Sequence, residues 1–467
     1  MIDTRIPHVS VRSRGSRLLA RNAKTTPAGL SGASGESNVK SSLLSVHALR
    51  RSATVALLAA GALYAVPATA QDPVNVTIWT AYGAQLQPAV DAYNAKMQAE
   101  GKNIVIVPTE LAGDQIADKF AVAVTSGDVP DILDLDLVLA PKFIDLGAIS
   151  DITDQVAAAG LNDFNPKFLD LGVKEDRTYM IPFSADVSAL FYNKDIFKQA
   201  GLDPENPPKS WADFEAAMHK IADAKLTAAD GSPIYGFGAA SDPGAKMFCD
   251  IPFAWTNGGN WLNPAGEVIL DSAETKQAIA WLANIEMTEG LAPPNPAAYT
   301  WDNKMNDLLA GRVAVVCTGS YAINEIKTKA PDTDYGVMLF PSPNGDNPSS
   351  FIGGDMIGIP VQGKHPAEAW DFIQFALSSN VQVDIWAKNG MPSVRESLRQ
   401  NEYFDAEPRY YTFSDGVKYG QVPKTVFYND FYEPWGTAWS DIYGGKPVDQ
   451  ALDEAAARMR DIIASGS

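Results

Sequence analysis

The chain of 467 residues holds 37 Lys+Arg against 56 Asp+Glu. Nine basic but only two acidic side chains fall in the first 70 residues, so Gln71–Ser467 carries 28 basic against 54 acidic residues, a net charge of −26. That balance excludes a nucleic-acid-binding body, which needs a basic surface against phosphates, and it argues against an anionic membrane surface as partner. Hydrophobic content of 46% excludes disorder for the bulk of the chain. The length beyond the first 70 residues exceeds the ~100–200 residues of one domain, and two cysteines leave apolar burial to hold the fold together.

Residues 1–47 are rich in Ser, Arg, Gly and Ala without apolar periodicity and are expected to form a disordered extension. Residues 48–70 have the three parts of a secretory signal peptide: Arg50-Arg51, the uncharged stretch Ser52–Val66, and the small-residue cleavage site Ala68-Thr69-Ala70. The apolar part is short for a bilayer span, and no later stretch approaches ~20 apolar residues. No Met occurs between Met1 and Met97, so a start at a non-ATG codon written as Leu43, Leu44 or Val46 would bring the signal near the true N-terminus. Twin-arginine export fits the flanking residues less well than the general secretory route. The mature chain is expected to begin near Gln71, in the periplasm, without a lipid anchor, because no lipobox cysteine precedes it.

Val74–Trp79 reads as a strand with alternating faces, and Leu86, Val90, Tyr93 and Met97 then fall on one face of a 3.6-residue period. Ile104–Val107 is the next strand, Asp114–Thr125 a helix, and Asp131–Leu135 a third strand after Gly127–Pro130. This alternation predicts a mainly parallel α/β sheet with helices on both faces. Ser210 and Asp213 form a capping-box pattern ahead of Trp211, Phe214, Met218 and Ile221. Further strands are expected at Tyr235–Ala239, Val313–Cys317, Tyr335–Phe340 and Met356–Ile359. Pro366 suits the first position of a helix, and Val448, Leu452, Ala455, Met459 and Ile462 mark a final amphipathic one.

Catalytic and cofactor signatures are sparse. His219 and His365, the two histidines after the signal, have no metal-ligand spacing and read as surface residues; no G-x-S-x-G elbow, P-loop or dinucleotide glycine fingerprint is present. No catalytic residue, metal or cofactor is therefore assigned. Asp134 and Asp136, two apart on a strand, point to one face, which glycosidase-like acid–base chemistry would use, although carboxylate pairs are frequent in so acidic a chain. Cys249 and Cys317 either pair across a loop of about 70 residues, a link worth ~4 kcal/mol in the chain-entropy model, or remain buried thiols; two thiols is the simpler reading. Aromatic residues cluster beside chain breaks: Trp79 and Tyr82 after the first strand, Trp255 before Asn257, Tyr321 after Gly319-Ser320, and Trp435 in Glu433–Gly436. Flat rings beside Asp, Asn, Glu and Arg suit a neutral polyol, whose hydroxyls must all be paired on desolvation.

The segment Thr178–Asp195 (TYMIPFSADVSALFYNKD), continuing through Gly201–Pro204 and Ser210–Phe214, resembles the signature of extracellular solute-binding proteins of carbohydrate ABC importers, the maltose-binding-protein-like family 1. Ser126–Ile132, Leu309–Ala314 with Gly319–Tyr321, and Gly353-Gly354 extend the likeness over Val74–Ile463. The resemblance implies a two-lobe periplasmic-binding-protein fold with an interlobe cleft and crossing hinge strands, the first near Ser184–Val187. The lobes implied are residues 71–185 plus 340–393 and residues 186–339 plus 394–467. It also implies Trp79, Tyr82, Asp134, Asp136, Asp186, Trp255, Asn257, Tyr321, Gly354, Asp355, Arg395 and Trp435 as ligand-contacting positions, with Gly353, Gly354 and Asp355 letting the backbone approach the ligand closely. The expected protein is a monomeric, non-enzymatic receptor that binds a mono- to oligosaccharide, closes by hinge motion and docks on a membrane permease. Glycerol-phosphate or a polyamine as ligand, or a secreted carbohydrate-cleaving enzyme, are the rival readings.

Overall fold

The first strand, β1 (Val74–Thr80), turns Val76, Ile78 and Thr80 inward and leaves Asn75, Thr77 and Trp79 on the less covered face, the two-residue period of a sheet packed on one side. A computed structural model describes residues 72–466 of the chain; the extension, the signal peptide and the start near Gln71 lie outside those residues. The helix Gly83–Ala99 buries Leu86, Val90, Tyr93 and Met97, as their spacing predicts. It is followed by β2 (Ile104–Glu110), the helix Gly113–Ser126 and β3 (Ile132–Asp136). Both β2 and β3 lie parallel to β1, with Ile104 opposite Val74 and Ile132 opposite Ile78.

A small hairpin, β4 (Val173–Lys174) and β5 (Arg177–Thr178), leads into β6 (Met180–Asn193). The remaining strands are β7 (Tyr235–Gly238), β8 (Val313–Gly319), β9 (Tyr335–Met338) and β10 (Ile352–Gly358). Strand order is β2-β1-β3-β10-β6-β8-β7, with β9 also paired to β6. Parallel pairing is confined to β1/β2, β1/β3 and β7/β8, whereas β10 and β6 run antiparallel to their partners. The mainly parallel sheet expected from the sequence is thus corrected to a mixed one. Helical crossovers between adjacent strands enforce parallel entry, but β10 joins the sheet from a distant part of the chain and is not bound by that rule.

One strand joins the two wound portions of the sheet. Met180–Val187 of β6 pairs with β10, and from Ser188 onward the same strand pairs with β8 and β9. Every residue of β6 is buried except Asp186, which is half-buried. Local signals around it hold well. Asn193 accepts the N–H groups of Asp195 and Ile196 to start the next helix, and Ser210 Oγ accepts the Asp213 N–H at 3.1 Å. Asp213 bonds the Ser210 hydroxyl rather than its N–H, so only half of the capping box forms. Pro366 opens the helix Pro366–Ala376 and the final helix spans Val448–Ser465.

Cys249 and Cys317 form a disulfide, with Cα atoms 5.6 Å apart, which corrects the reading of two free thiols. It ties the helix Pro243–Cys249 to β8. The same helix carries Lys246, fully buried between Asp250 and Glu286 at 2.7 Å each and 3.9 Å from the centre of the Trp439 ring.

Candidate functional site

The carboxyl end of β3 and the neighbouring strands build a carboxylate floor. In the β3/β10 register Asp136 stands opposite Asp355, and in the β10/β6 register Asp355 stands opposite Ser184 and Gly353 opposite Asp186. Gly354 makes this approach possible. Its φ is +116°, and a Cβ there would lie 2.3 Å from the Ser184 carbonyl oxygen, so the glycine serves strand-to-strand approach. A register shift follows between Asp355 and Met356, which hides the strand's start from a reading of alternation.

The cleft above this floor has a volume of about 310 Å³. Its lining on the β1 side is Ala81, Tyr82, Gly113, Ile116, Asp136 and Val138; from the other elements come Asp186, Gly244, Phe248, Phe351, Gly353, Gly354, Asp355, Tyr428 and Tyr432. No basic side chain is among these described residues. Phe248 and Phe351 pack with ring centres 5.6 Å apart, and Tyr428 meets Tyr432 edge-on at 5.3 Å. Tyr82 is braced by the fully buried Trp386, also edge-on, at 5.3 Å.

The carboxylates resist ionisation. Withdrawal from water, then the neighbouring Asp355, push Asp136 up to about 7; burial, opposed by the N–H groups of Val187 and Ser320, pushes Asp186 up to about 7 as well. Asp136 meets solvent at the cleft but is walled by protein on its other sides. Asp134 is fully buried beneath the floor, raised well above the ordinary range by burial and Asp355, and receives the Thr80 hydroxyl at 2.5 Å. Burial also raises Asp355, although the Ser184 hydroxyl lies 3.1 Å from it and Tyr82 bonds it. The Oδ1 atoms of Asp134 and Asp186 are buried without a hydrogen-bond partner.

Of the twelve positions implied from sequence, Tyr82, Asp136, Asp186, Gly354 and Asp355 line the cleft. Asp134 lies directly under it. Tyr321 sits beside Asp186, since a Cβ on Gly319 would touch both side chains within 2.6 Å. Trp255 stacks on Phe351 at 5.8 Å and backs the wall, its ring nitrogen donating to Asn260. Four positions lie elsewhere. Trp79 falls outside the lining because strand alternation sets it on the face opposite Thr80, the residue that reaches Asp134. Asn257 donates to the Glu274 carbonyl at 2.8 Å and to Gln277. Arg395 is paired to Asp163 at 2.7 Å and donates to the Leu377 carbonyl. Trp435 is fully buried between Trp261 and Trp439. Sequence reading missed Phe248, Phe351, Tyr428 and Tyr432. The last two carry a legible signal, aromatic spacing of four just ahead of Trp435, whereas Phe248 is placed by the adjacent disulfide.

Comparison with known proteins supplies the kinship. The chain is 24% identical over 441 residues to the sn-glycerol-3-phosphate-binding periplasmic protein UgpB of Escherichia coli K12, covering 88% of this chain and 97% of that one. Its fold matches an ABC transporter solute-binding protein of Thermotoga lettingae solved with α-D-tagatose, at TM-score 0.72 and 23% identity over 83% of this chain and 99% of the other. It also matches the sugar-binding protein MalE of Xanthomonas citri, at TM-score 0.73 and 20% identity over 84% and 98%. These likenesses show a two-lobe periplasmic-binding-protein fold. The family model for bacterial extracellular solute-binding proteins matches residues 78–383, well over half of the chain, and the chain therefore belongs to that family.

Proposed function

We propose that the protein is the substrate-capturing component of an ABC importer for a sugar, from mono- to oligosaccharide. The observation that carries this reading is the cleft itself, lined by three carboxylates from β3, β6 and β10 together with five aromatic rings and no basic side chain. Carboxylates accept hydrogen bonds from hydroxyls, and flat rings cover the C–H faces of a pyranose. The sugar-binding relatives support it. The glycerol-phosphate ligand of the UgpB relatives would need converging Arg, Lys or N–H donors for its phosphate, and the cleft chemistry favours the sugar instead.

The lobes follow the family frame, residues 71–185 plus 340–393 and residues 186–339 plus 394–467, joined near Ser184–Val187. A ligand that touches both lobes favours the closed form through its differential affinity, and the closed receptor docks as a monomer on the permease in the periplasm, after removal of the signal peptide. No bond is made or broken in this cycle. A thermal-shift panel of mono- to trisaccharides tests the assignment. Stabilisation by at least one sugar is expected; no shift with any carbohydrate, or a shift with glycerol 3-phosphate alone, overturns it.

A further inference from the structure

The cleft floor has more carboxyl groups than a neutral sugar needs. Asp136 and Asp355 face each other across β3 and β10, Asp186 joins them from β6, and Asp134 lies beneath. The groups packed around them offer no compensating cation. Tyr82 and Ser184 face Asp355, Thr80 faces Asp134, and the N–H groups of Val187 and Ser320 face Asp186. The phenols of Tyr321, Tyr428 and Tyr432 complete the surroundings and are themselves held in the neutral form, burial first and the nearby aspartates next (or, for Tyr428, Tyr432 ahead of Asp136). Among the described residues no set of His, Cys, Asp and Glu side chains is arranged to hold a metal ion.

Two of these carboxylates also have an oxygen with nothing to bind. Asp134 is fully buried and its Oδ1 is unpartnered, and the buried Oδ1 of Asp186 is unpartnered in the cleft lining. A closing cleft removes the remaining water from these groups. Hydroxyl donors from a neutral guest would satisfy single oxygens but leave uncompensated the charge that Asp136 and Asp186 carry once ionised, and uncompensated buried charge is strongly unfavourable. A protonated amine supplies up to three donors and the missing positive charge together.

We infer that the ligand class of this cleft is a hydroxylated molecule carrying a protonated amine, an amino sugar in preference to a neutral one. The inference rests on the sugar reading above and deepens it. The rings of Phe248 and Phe351 cover the carbon skeleton, the floor carboxylates take the ammonium, and the same arrangement repels phosphate-bearing and acidic sugars.

Isothermal titration of the full chain, dialysed free of any copurified molecule, with glucose, glucosamine, 6-amino-6-deoxyglucose and its N-acetylated form, and spermidine separates the possibilities. One or both amines are expected to bind about tenfold or more tighter than glucose and the acetylated sugar at about pH 7.5. The preference is expected to shrink towards about pH 5.5, where Asp136 and Asp186 take up protons while a primary amine stays charged. Asp186→Asn is expected to narrow it at the higher pH, with a single cooperative unfolding transition no less stable than that of the wild type showing that the variant folds. Glucose or the acetylated sugar binding as well as the amines overturns the inference and leaves the sugar reading standing. Spermidine binding tighter than every sugar overturns the sugar reading and retains recognition of the ammonium group. No binding by any of the five overturns the inference.

Discussion

Asp186 is the one residue of β6 that is not buried, and it lines the cleft. Holding it there has a thermodynamic consequence. Its folded-state pKa lies above the unfolded value, so the folded protein binds more protons than the unfolded chain between roughly pH 4 and 7, and stability falls as pH rises through that window. Asp186→Asn is expected to raise unfolding stability at about pH 7.5 by roughly 1–3 kcal/mol and to flatten the pH dependence. Urea denaturation at two pH values reads both, and equal stability of variant and wild type at the higher pH would contradict the account. Tyr432 also lines the cleft, and Tyr432→Ala should weaken ligand binding by about 1 kcal/mol or more through lost apolar contact. Unchanged affinity in a titration would place the stacking surface on the Phe248–Phe351 pair alone.

The cleft wall depends on how its elements are fastened. The helix Pro243–Cys249 presents Gly244 and Phe248 to the cleft, and it is held by the Cys249–Cys317 disulfide and by Lys246 with its two carboxylates. Replacing both cysteines by serine is expected to cost about 2–4 kcal/mol of unfolding stability and to weaken ligand binding further by releasing Phe248; denaturation and titration of the double variant measure the two effects separately. Lys246→Met leaves Asp250 and Glu286 as uncompensated buried charges, and a loss of about 3–5 kcal/mol is expected. Alternation and helical spacing made β1, β2, β3 and the helices Gly83–Ala99 and Val448–Ser465 legible in sequence. Elements fixed by long-range contacts were not legible in this way. The β10 strand begins at Ile352, ahead of the expected Met356, because Gly353 and Gly354 interrupt the side-chain pattern that betrays a strand. Asp136, Asp186 and Asp355 come together only through strand register, whereas Asn257, Arg395 and Trp435 are polar or aromatic near breaks and serve local hydrogen bonds, an ion pair and the core.

At the level of the molecule, β6 carries the chain from one wound portion of the sheet to the other, and the cleft opens where it crosses. Closure on ligand should therefore be a rotation about this segment with little change inside either portion. Small-angle X-ray scattering should show the radius of gyration falling when a binding sugar is added and staying constant with a non-binding one. In the proposed function the Asp136–Asp186–Asp355 floor holds a small molecule intact. Native mass spectrometry of the protein purified without refolding tests it most directly. The account predicts a hydroxylated small molecule that copurifies with the wild type, leaves unaltered on denaturation and is held at markedly lower occupancy by Asp186→Asn. Retention of the same molecule at equal occupancy by Asp186→Asn would contradict it.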